Sequence, residues 1–288
     1  MVPVQHLKSE IEEQFIQSKT GNLEDCEDTI HTSKHYIAVI DGATSKTERR
    51  WGGETGGRRA AEIINQAFNH MPPDCTARQA ADLMTELVHT CYTQFNILET
   101  VRKDTDQRII ASCAAISLPR QEVWLIGDCH LLLGNRYISH QKRIDLILSE
   151  VRALVLELEL EKGMTIEQLR AHDKGREFIM PLLKEQTLFQ NGPTANPDWF
   201  PAVDGFSIPD TGILTLPIPY DVKTIVLATD GYPVLKNNLK DSDHILQEIL
   251  DKDPLLFRSY KSTKGMSHGS VSFDDRAYIK VHLSRSMN

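Results

Sequence analysis

Several features that would define other protein classes are missing from this sequence of 288 residues. No apolar run approaches the roughly 18 residues that a membrane-spanning helix needs. The N-terminus also lacks the charged-then-apolar layout of a secretory signal. The net charge is −8 and no long basic block is present, which argues against a nucleic-acid partner. The sequence therefore predicts a cytoplasmic protein that binds neither membranes nor nucleic acid.

The cysteines and histidines do not form a recognisable reactive or metal-binding pattern. The five cysteines have no disulfide-framework spacing, and Cys26, Cys113 and Cys129 lie beside apolar runs where reduced thiols commonly pack. A cysteine phosphatase needs arginine at a fixed offset from its cysteine. Here Arg120 and Arg136 follow Cys113 and Cys129 one place too late. No histidine forms a zinc-like spacing with another histidine or a cysteine.

A glycine-rich stretch, "GGETGGRR" from Gly52 to Arg59, is a near miss for a nucleotide-binding P-loop. Arg58 and Arg59 replace the lysine and the serine or threonine that contact phosphates and Mg²⁺ in that motif. No apolar strand leads into the stretch. We interpret it as the entry to a helix.

The hydrophobic pattern falls into blocks of strand and blocks of helix. Strands are predicted at His35–Ile40, through Arg108–His140, at Thr224–Thr229 and at Arg276–Leu283. Helices are predicted at Arg58–His70, after a capping Thr76, from Ile144 to Leu158, after Thr165, around Phe178–Leu183 and at Asp243–Leu250. Blocks of this kind, without strict alternation, favour antiparallel sheets packed with helices in an α+β fold.

Acidic residues recur where the predicted strands begin or end. "YIAVIDG" ends at Asp41-Gly42, "VWLIGDC" contains Asp128, "IVLATDG" ends at Asp230-Gly231, and "AYIKV" follows Asp274-Asp275. A single Asp-Gly is usually a turn. Several such acids at one sheet edge would repel each other unless cations lay between them. Oxygen ligands without nearby histidine or cysteine favour Mg²⁺ or Mn²⁺.

These segments resemble, in their order and in their residues, those of the PP2C-type metal-dependent protein phosphatases (the PPM family). The matching pieces are "CEDTI", "AVIDG", "GGRRAAEII", "ASCAAISL", "VWLIGDC", "IVLATDG" and "SFDDRAYIKV". The resemblance implies a four-layer α-β-β-α sandwich of two antiparallel sheets flanked by helices, with a metal centre at one end. It implies a single phosphatase domain over residues 1–288, with a helical and loop insert at about 141–219 where the family often has a flap.

The resemblance also implies roles for the acids. The candidate metal ligands are Asp41, Gly42, Asp230, Asp274, Glu27 and Asp128, with Asp41 and Asp230 the central catalytic pair. Asp41 matches the acid that bridges two ions, and Asp128 matches the acid linked to a third, weaker ion. Glu27 matches the acid that reaches the second ion largely through water, and Asp28 is the alternative if the register slips.

The implied activity is metal-dependent hydrolysis of phosphomonoesters. Two Mg²⁺ or Mn²⁺ ions would hold a bridging hydroxide that attacks phosphorus in line. The expected substrate is phosphoserine or phosphothreonine in a protein. A phosphatase for a small phosphorylated molecule, and a catalytically inactive regulatory or binding protein with the same fold, stay open.

The residue that binds the substrate phosphate is not identified by the sequence. Animal members of the family carry an arginine four residues before the glutamate that matches Glu27, but Leu23 stands there in this chain. Lys19, Arg49 and Arg50 are candidates to replace it. The alternative for each of them is an ordinary solvated charge on the protein surface.

Overall fold

The computed structural model describes residues 6–286, which form ten strands and seven α-helices. The strands are β1 (His6–Gln17), β2 (Thr29–Thr32), β3 (Tyr36–Gly42), β4 (Ala111–Ser117), β5 (Glu122–Ile126), β6 (His130–Leu133), β7 (Arg136–Ser139), β8 (Leu214–Pro217), β9 (Thr224–Ala228) and β10 (Arg276–Ser286). The helices are α1 (Gly56–His70), α2 (Ala77–Gln94), α3 (Leu98–Lys103), α4 (Arg143–Glu161), α5 (Ile166–Ala171), α6 (Lys174–Glu185) and α7 (Leu239–Lys252).

The strands form two antiparallel sheets of five strands each. Sheet 1 has the order β1-β10-β9-β6-β7, and sheet 2 has the order β2-β3-β4-β5-β8. Helices α1 and α2 cover the outer face of sheet 2, and a hydrophobic layer lies between the sheets. The predicted α+β fold of two antiparallel sheets packed with helices is confirmed by this arrangement.

Strand β3 shows why the central strands are continuously apolar. Its alternate residues Ile37 and Val39 face sheet 1, whereas Ala38 and Ile40 face α1 and α2. A strand that is buried on both faces has no polar side to expose, so the usual alternation disappears. The sequence "YIAVI" is therefore typical of a strand in the middle of the sandwich.

The structure differs from the predicted strands in two ways. Strands β1, β2 and β8 lie where the sequence predicted none. The stretch predicted as one meander is two hairpins in different sheets, with β4 and β5 in sheet 2 and β6 and β7 in sheet 1. Between β5 and β6, Gly127 has a φ of 87°, and a Cβ there would lie 2.1 Å from the Ser112 hydroxyl oxygen. Only glycine suits this crossing point.

The segment predicted as an insert, at about 141–219, contains α4, α5 and α6. Helix α4 packs against α6 and against the chain that follows α7, and Leu156 and Phe257 share one apolar cluster. Arg152 is completely buried at this junction. Its guanidinium contacts Asp173 and the carbonyl oxygens of Leu256 and Ser262. The insert is thus attached to the chain that leads into β10.

Two further expectations concern the cysteines and the membrane. All five cysteines are reduced and buried, as the apolar runs beside three of them predict. Within residues 6–286, no helix combines the length and the apolar character that crossing a membrane would require.

Candidate active site

Strand register brings the predicted acids to one end of the sandwich. Asp41, in β3, pairs with Ser112 of β4, and the Ser112 hydroxyl donates a hydrogen bond to Asp128 Oδ1 at 2.5 Å. Strands β6 and β9 are antiparallel neighbours, so Asp128 before β6 and Asp230 after β9 lie at the same end. Three acids that are distant in sequence thus meet across the two sheets.

Asp274 reaches the same place through β10. The backbone N–H of Thr229 donates to the carbonyl of Ala277 at 3.0 Å, and the Ala277 N–H donates to Thr229 Oγ1 at 2.8 Å. These bonds hold the start of β10 beside Asp230. One cavity of about 470 Å³ is lined by Asp41, Gly42, Asp128, Asp230 and Asp274.

Burial and mutual repulsion raise the pKa of three acids in this cluster. Burial, followed by the charge of Asp230, raises the pKa of Asp41 well above its ordinary range. Burial and then Asp275 do the same to the pKa of Asp28. Burial and then Asp274 raise the pKa of Asp230 to about 7. Such shifts mark buried carboxylates that lie close to other carboxylates.

Lysine side chains neutralise other acids of the cluster. Lys264 forms an ion pair with Asp274, and Lys142 Nζ lies 2.7 Å from Asp128 Oδ2. Burial is the largest influence on Asp128 and would raise its pKa, but the charge and hydrogen bond of Lys142 and the hydrogen bond from Ser112 together lower that pKa to about 2. Burial would also raise the pKa of Asp274, but Lys264, Lys19 and the hydrogen bonds that Asp274 accepts together lower it. Neither ion pair was predicted from the sequence.

Glu27 is held by a different set of contacts from the other acids. Lys19 Nζ lies 3.4 Å from Glu27 Oε2 and 3.3 Å from Asp275 Oδ2. The Thr44 hydroxyl also donates to Glu27 Oε2 at 2.5 Å. Lys19 is therefore an internal counter-ion for two acids, and its side chain is only 26% exposed. Asp275 also accepts hydrogen bonds from the backbone N–H groups of Lys19 and Glu27. These bonds hold the backbone at both residues against the start of β10.

The donor atoms of the cluster are oxygens, the type that a hard divalent cation prefers. Glu27 Oε1 and Asp28 Oδ2 are buried and have no hydrogen-bond partner, and Asp28 lies beside Asp41 because Thr29 pairs with Ile40. Buried carboxylate oxygens of this kind are costly until a cation or donor meets them. Across residues 6–286, no three His, Cys, Asp or Glu side chains are grouped closely enough to hold a metal ion as they stand. The acidic side chains that could bind a metal ion are present, and lysine side chains form ion pairs with some of them.

Helix α1 packs directly on the corner formed by Asp41 and Gly42. A Cβ on Gly57 would lie 2.6 Å from the Gly42 carbonyl oxygen and 2.8 Å from Glu27 Oε1. Thr55 caps the helix by accepting a hydrogen bond from the Arg58 N–H at 3.3 Å. The glycine-rich stretch is therefore a helix entry, as predicted, and its glycine allows α1 to approach the site.

None of the three proposed substitutes for the missing arginine lines the cavity. Lys19 binds Glu27, Arg49 donates to the Gln107 side chain at 3.4 Å, and Arg50 is exposed. Leu23, which occupies the arginine position, is 59% exposed.

The positive side chains that line the cavity come from five separate parts of the chain. They are Lys46, Arg108, Lys142, Arg176, Lys261 and Lys264. Lys46 lies four residues beyond Gly42, and Arg108 lies three residues before "ASCAAISL". That proximity to a recognised segment is the local signal that could have identified these two cations.

Comparison with known proteins gives fold likenesses at low identity. No protein-family model matches the chain, and no curated protein matches it. The serine/threonine phosphatase PstP/Ppp of Mycobacterium tuberculosis is similar, with a TM-score of 0.42, 13% identity, and coverage of 96% of this chain and 98% of that one. Stp1 from Staphylococcus aureus gives a TM-score of 0.43, 12% identity, and coverage of 99% and 96%. A PstP catalytic domain in complex with two manganese ions gives 0.45, 15%, and coverage of 97% and 99%.

Proposed function

We propose that this protein is a metal-dependent phosphomonoester hydrolase that acts on phosphoserine or phosphothreonine in proteins. The observation that carries the proposal is the meeting of buried, mutually repelling carboxylates at one end of the two sheets. Asp41, Asp28 and Asp230 all have a raised pKa there, because burial and the charges of neighbouring carboxylates disfavour their ionised forms. Acids kept in this arrangement suggest a site built to receive cations.

The residues proposed to hold Mg²⁺ or Mn²⁺ are Asp41, the Gly42 carbonyl, Asp230, Asp274, Glu27, Asp28 and Asp128. When bound, the ions would supply a water of lowered pKa and positive charge for the phosphoryl oxygens. The chain itself orients the donors. Ser112 donates to Asp128, and the Thr44 hydroxyl and Lys19 hold one oxygen of Glu27, so that its other oxygen remains available.

A second candidate is a catalytically inactive binding protein that keeps the fold. The observation in its favour is that lysines pair with the acids: Lys264 with Asp274, Lys142 with Asp128, and Lys19 with Glu27. A permanent ammonium group can neutralise a carboxylate without supplying Lewis-acid chemistry. Asp41 forms no ion pair within the described residues, and this favours the hydrolase.

One assay separates these functions. The purified protein is mixed with p-nitrophenyl phosphate, with either Mn²⁺ or a chelator. We expect turnover only with Mn²⁺ and its loss in Asp230→Asn, while the control Asp251→Asn, on the exposed face of α7, keeps it. Equal turnover with chelator would contradict metal dependence, and no turnover with any divalent metal would favour the binding protein. A phosphopeptide panel set against small phosphorylated molecules then distinguishes the two substrate classes.

A further inference from the structure

Two of the cations that face the cavity have no acidic partner. Four of the six form ion pairs: Arg108 with Asp204, Lys142 with Asp128, Lys261 with Glu150, and Lys264 with Asp274. Lys46 and Arg176 have no carboxylate within 4.0 Å in residues 6–286. The unpaired charges are thus confined to these two side chains.

Both unpaired cations are anchored by neutral groups only. Lys46 Nζ donates to the carbonyl oxygen of Thr44 at 2.5 Å, and Arg176 Nη1 donates to the carbonyl oxygen of Thr263 at 2.7 Å. An ammonium has three donors and a guanidinium has five, so each side chain keeps donors that these bonds do not use. The anchors fix the direction of the two side chains and leave both without an ion pair, although Asp173, Asp274 and Asp145 act on Arg176 from a longer distance.

The two cations also repel each other. Burial, and next the charge of Arg176, lower the pKa of Lys46 to about 7. Like charges held at one partly buried place are costly unless an anion joins them. Asp145 is the one acid that acts on Lys46 among its main influences, and it forms no ion pair with it. One cavity is therefore lined both by acids that repel each other and by two cations that repel each other.

We infer that Lys46 and Arg176 form an oxyanion site that binds the phosphate group of a phosphomonoester. The planar guanidinium matches two oxygens of a tetrahedral oxyanion, and the ammonium supplies a point charge. A bound anion favours the protonated form of Lys46, and the two positive charges then match the charge of about −1.5 to −2 that a phosphomonoester carries at pH 7. The inference that this site binds the substrate phosphate rests on the proposed function. The inference that it binds an oxyanion does not depend on that function.

The site has a consequence for the helical insert. Lys46 lies in the loop after β3, whereas Arg176 lies in the first turn of α6, within the insert. The insert would then bind the substrate phosphate directly through Arg176. Leu23, at the position where animal members of the family carry arginine, has no charge and cannot bind phosphate in this way. Thr263, which anchors Arg176, lies next to Lys264, the partner of Asp274.

Binding of inorganic phosphate tests the inference directly. Isothermal titration calorimetry is performed with and without Mg²⁺ on the full chain and on Lys46→Met, Arg176→Met and Lys261→Met. The last is the matched control, because Lys261 faces the same cavity but pairs with Glu150. Loss of one charge-assisted contact should weaken phosphate binding by about tenfold or more. Lys261→Met should bind like wild type.

A second measurement needs no variant and therefore does not depend on variant folding. Wild-type protein is acetylated with and without phosphate, and the modified lysines are identified by mass spectrometry. We expect phosphate to protect Lys46 and not Lys261. Absence of any phosphate binding by wild type, binding that both methionine variants retain, or no protection of Lys46 would each overturn the inference.

The outcomes also separate this inference from the proposed function. If wild type hydrolyses p-nitrophenyl phosphate and the two methionine variants keep its KM, the oxyanion site is wrong and the hydrolase stands. If wild type hydrolyses nothing but binds phosphate through Lys46 and Arg176, the hydrolase is wrong and the site stands. Arg176→Lys, which keeps the charge, should recover part of the phosphate affinity that Arg176→Met loses.

Discussion

Replacement of Lys264 by methionine should increase the affinity of the protein for divalent metal ions. In the structure Lys264 forms an ion pair with Asp274, one of the proposed ligands. A metal ion can use that carboxylate only after the ammonium group leaves it. Methionine keeps an unbranched side chain of similar length but carries no charge, so the competing cation is removed while the packing is largely retained.

The size of the effect follows from the contact that is removed. A hydrogen bond to a charged group contributes about 1.5–3 kcal/mol. The Lys264 side chain is 26% exposed, so solvent screening favours the lower part of that range. A difference of about 1.5–2 kcal/mol corresponds to roughly 10- to 30-fold tighter metal binding in Lys264→Met. Loss of the positive charge near Asp230 acts in the same direction.

Calorimetric titration with Mn²⁺ measures this directly and does not depend on turnover. Lys261→Met is the control, because Lys261 is only three residues away and pairs with Glu150. It should leave the Kd for Mn²⁺ unchanged. If Lys264→Met binds Mn²⁺ with the same or lower affinity than wild type, then Lys264 does not compete with metal for Asp274, and the reasoning from the ion pair fails.

Two further predictions concern stability. Arg152→Met should lower the free energy of unfolding by about 3–5 kcal/mol in urea, because it leaves Asp173 without its buried partner. Arg258→Met, which removes an exposed pair with Glu157, should change it by less than about 1 kcal/mol, and equal losses would contradict the assigned burial. Without metal, stability should fall as pH rises from about 4 to about 7, because the Asp230 pKa is about 7 when folded against an ordinary 3.8. Asp230→Asn should flatten this part of the pH profile, and an unchanged profile would show that Asp230 is not the group responsible.

The framework of the sandwich was predictable because its signals are local. Strands β3, β4 and β9 are buried on both faces, so their sequences are continuously apolar and easily recognised. The capping box at Thr76, with Gln79, marks the start of α2 by direct contact between near neighbours. Edge strand β1 was missed because "HLKSEIEEQFIQ" is largely polar, and only its pairing with β10 makes it a strand.

The acidic half of the site was also predictable in outline. Asp41, Asp128 and Asp230 each adjoin an apolar strand, and strands of one sandwich end at a common edge. Their convergence therefore follows from strand boundaries, which the sequence records. Their roles as metal ligands stay a prediction.

The positive half of the site was decided by tertiary structure alone. Lys46, Lys142, Arg176 and Lys264 come from three loops and a helix, and nothing in their local sequence distinguishes them from surface charges. What they do depends on the distance to the nearest carboxylate and on the water excluded around them. Folding sets both quantities by joining segments more than 200 residues apart, as in the span from Lys46 to Lys264. The sequence by itself determined where the strands end, and the fold determined which charges face each other there.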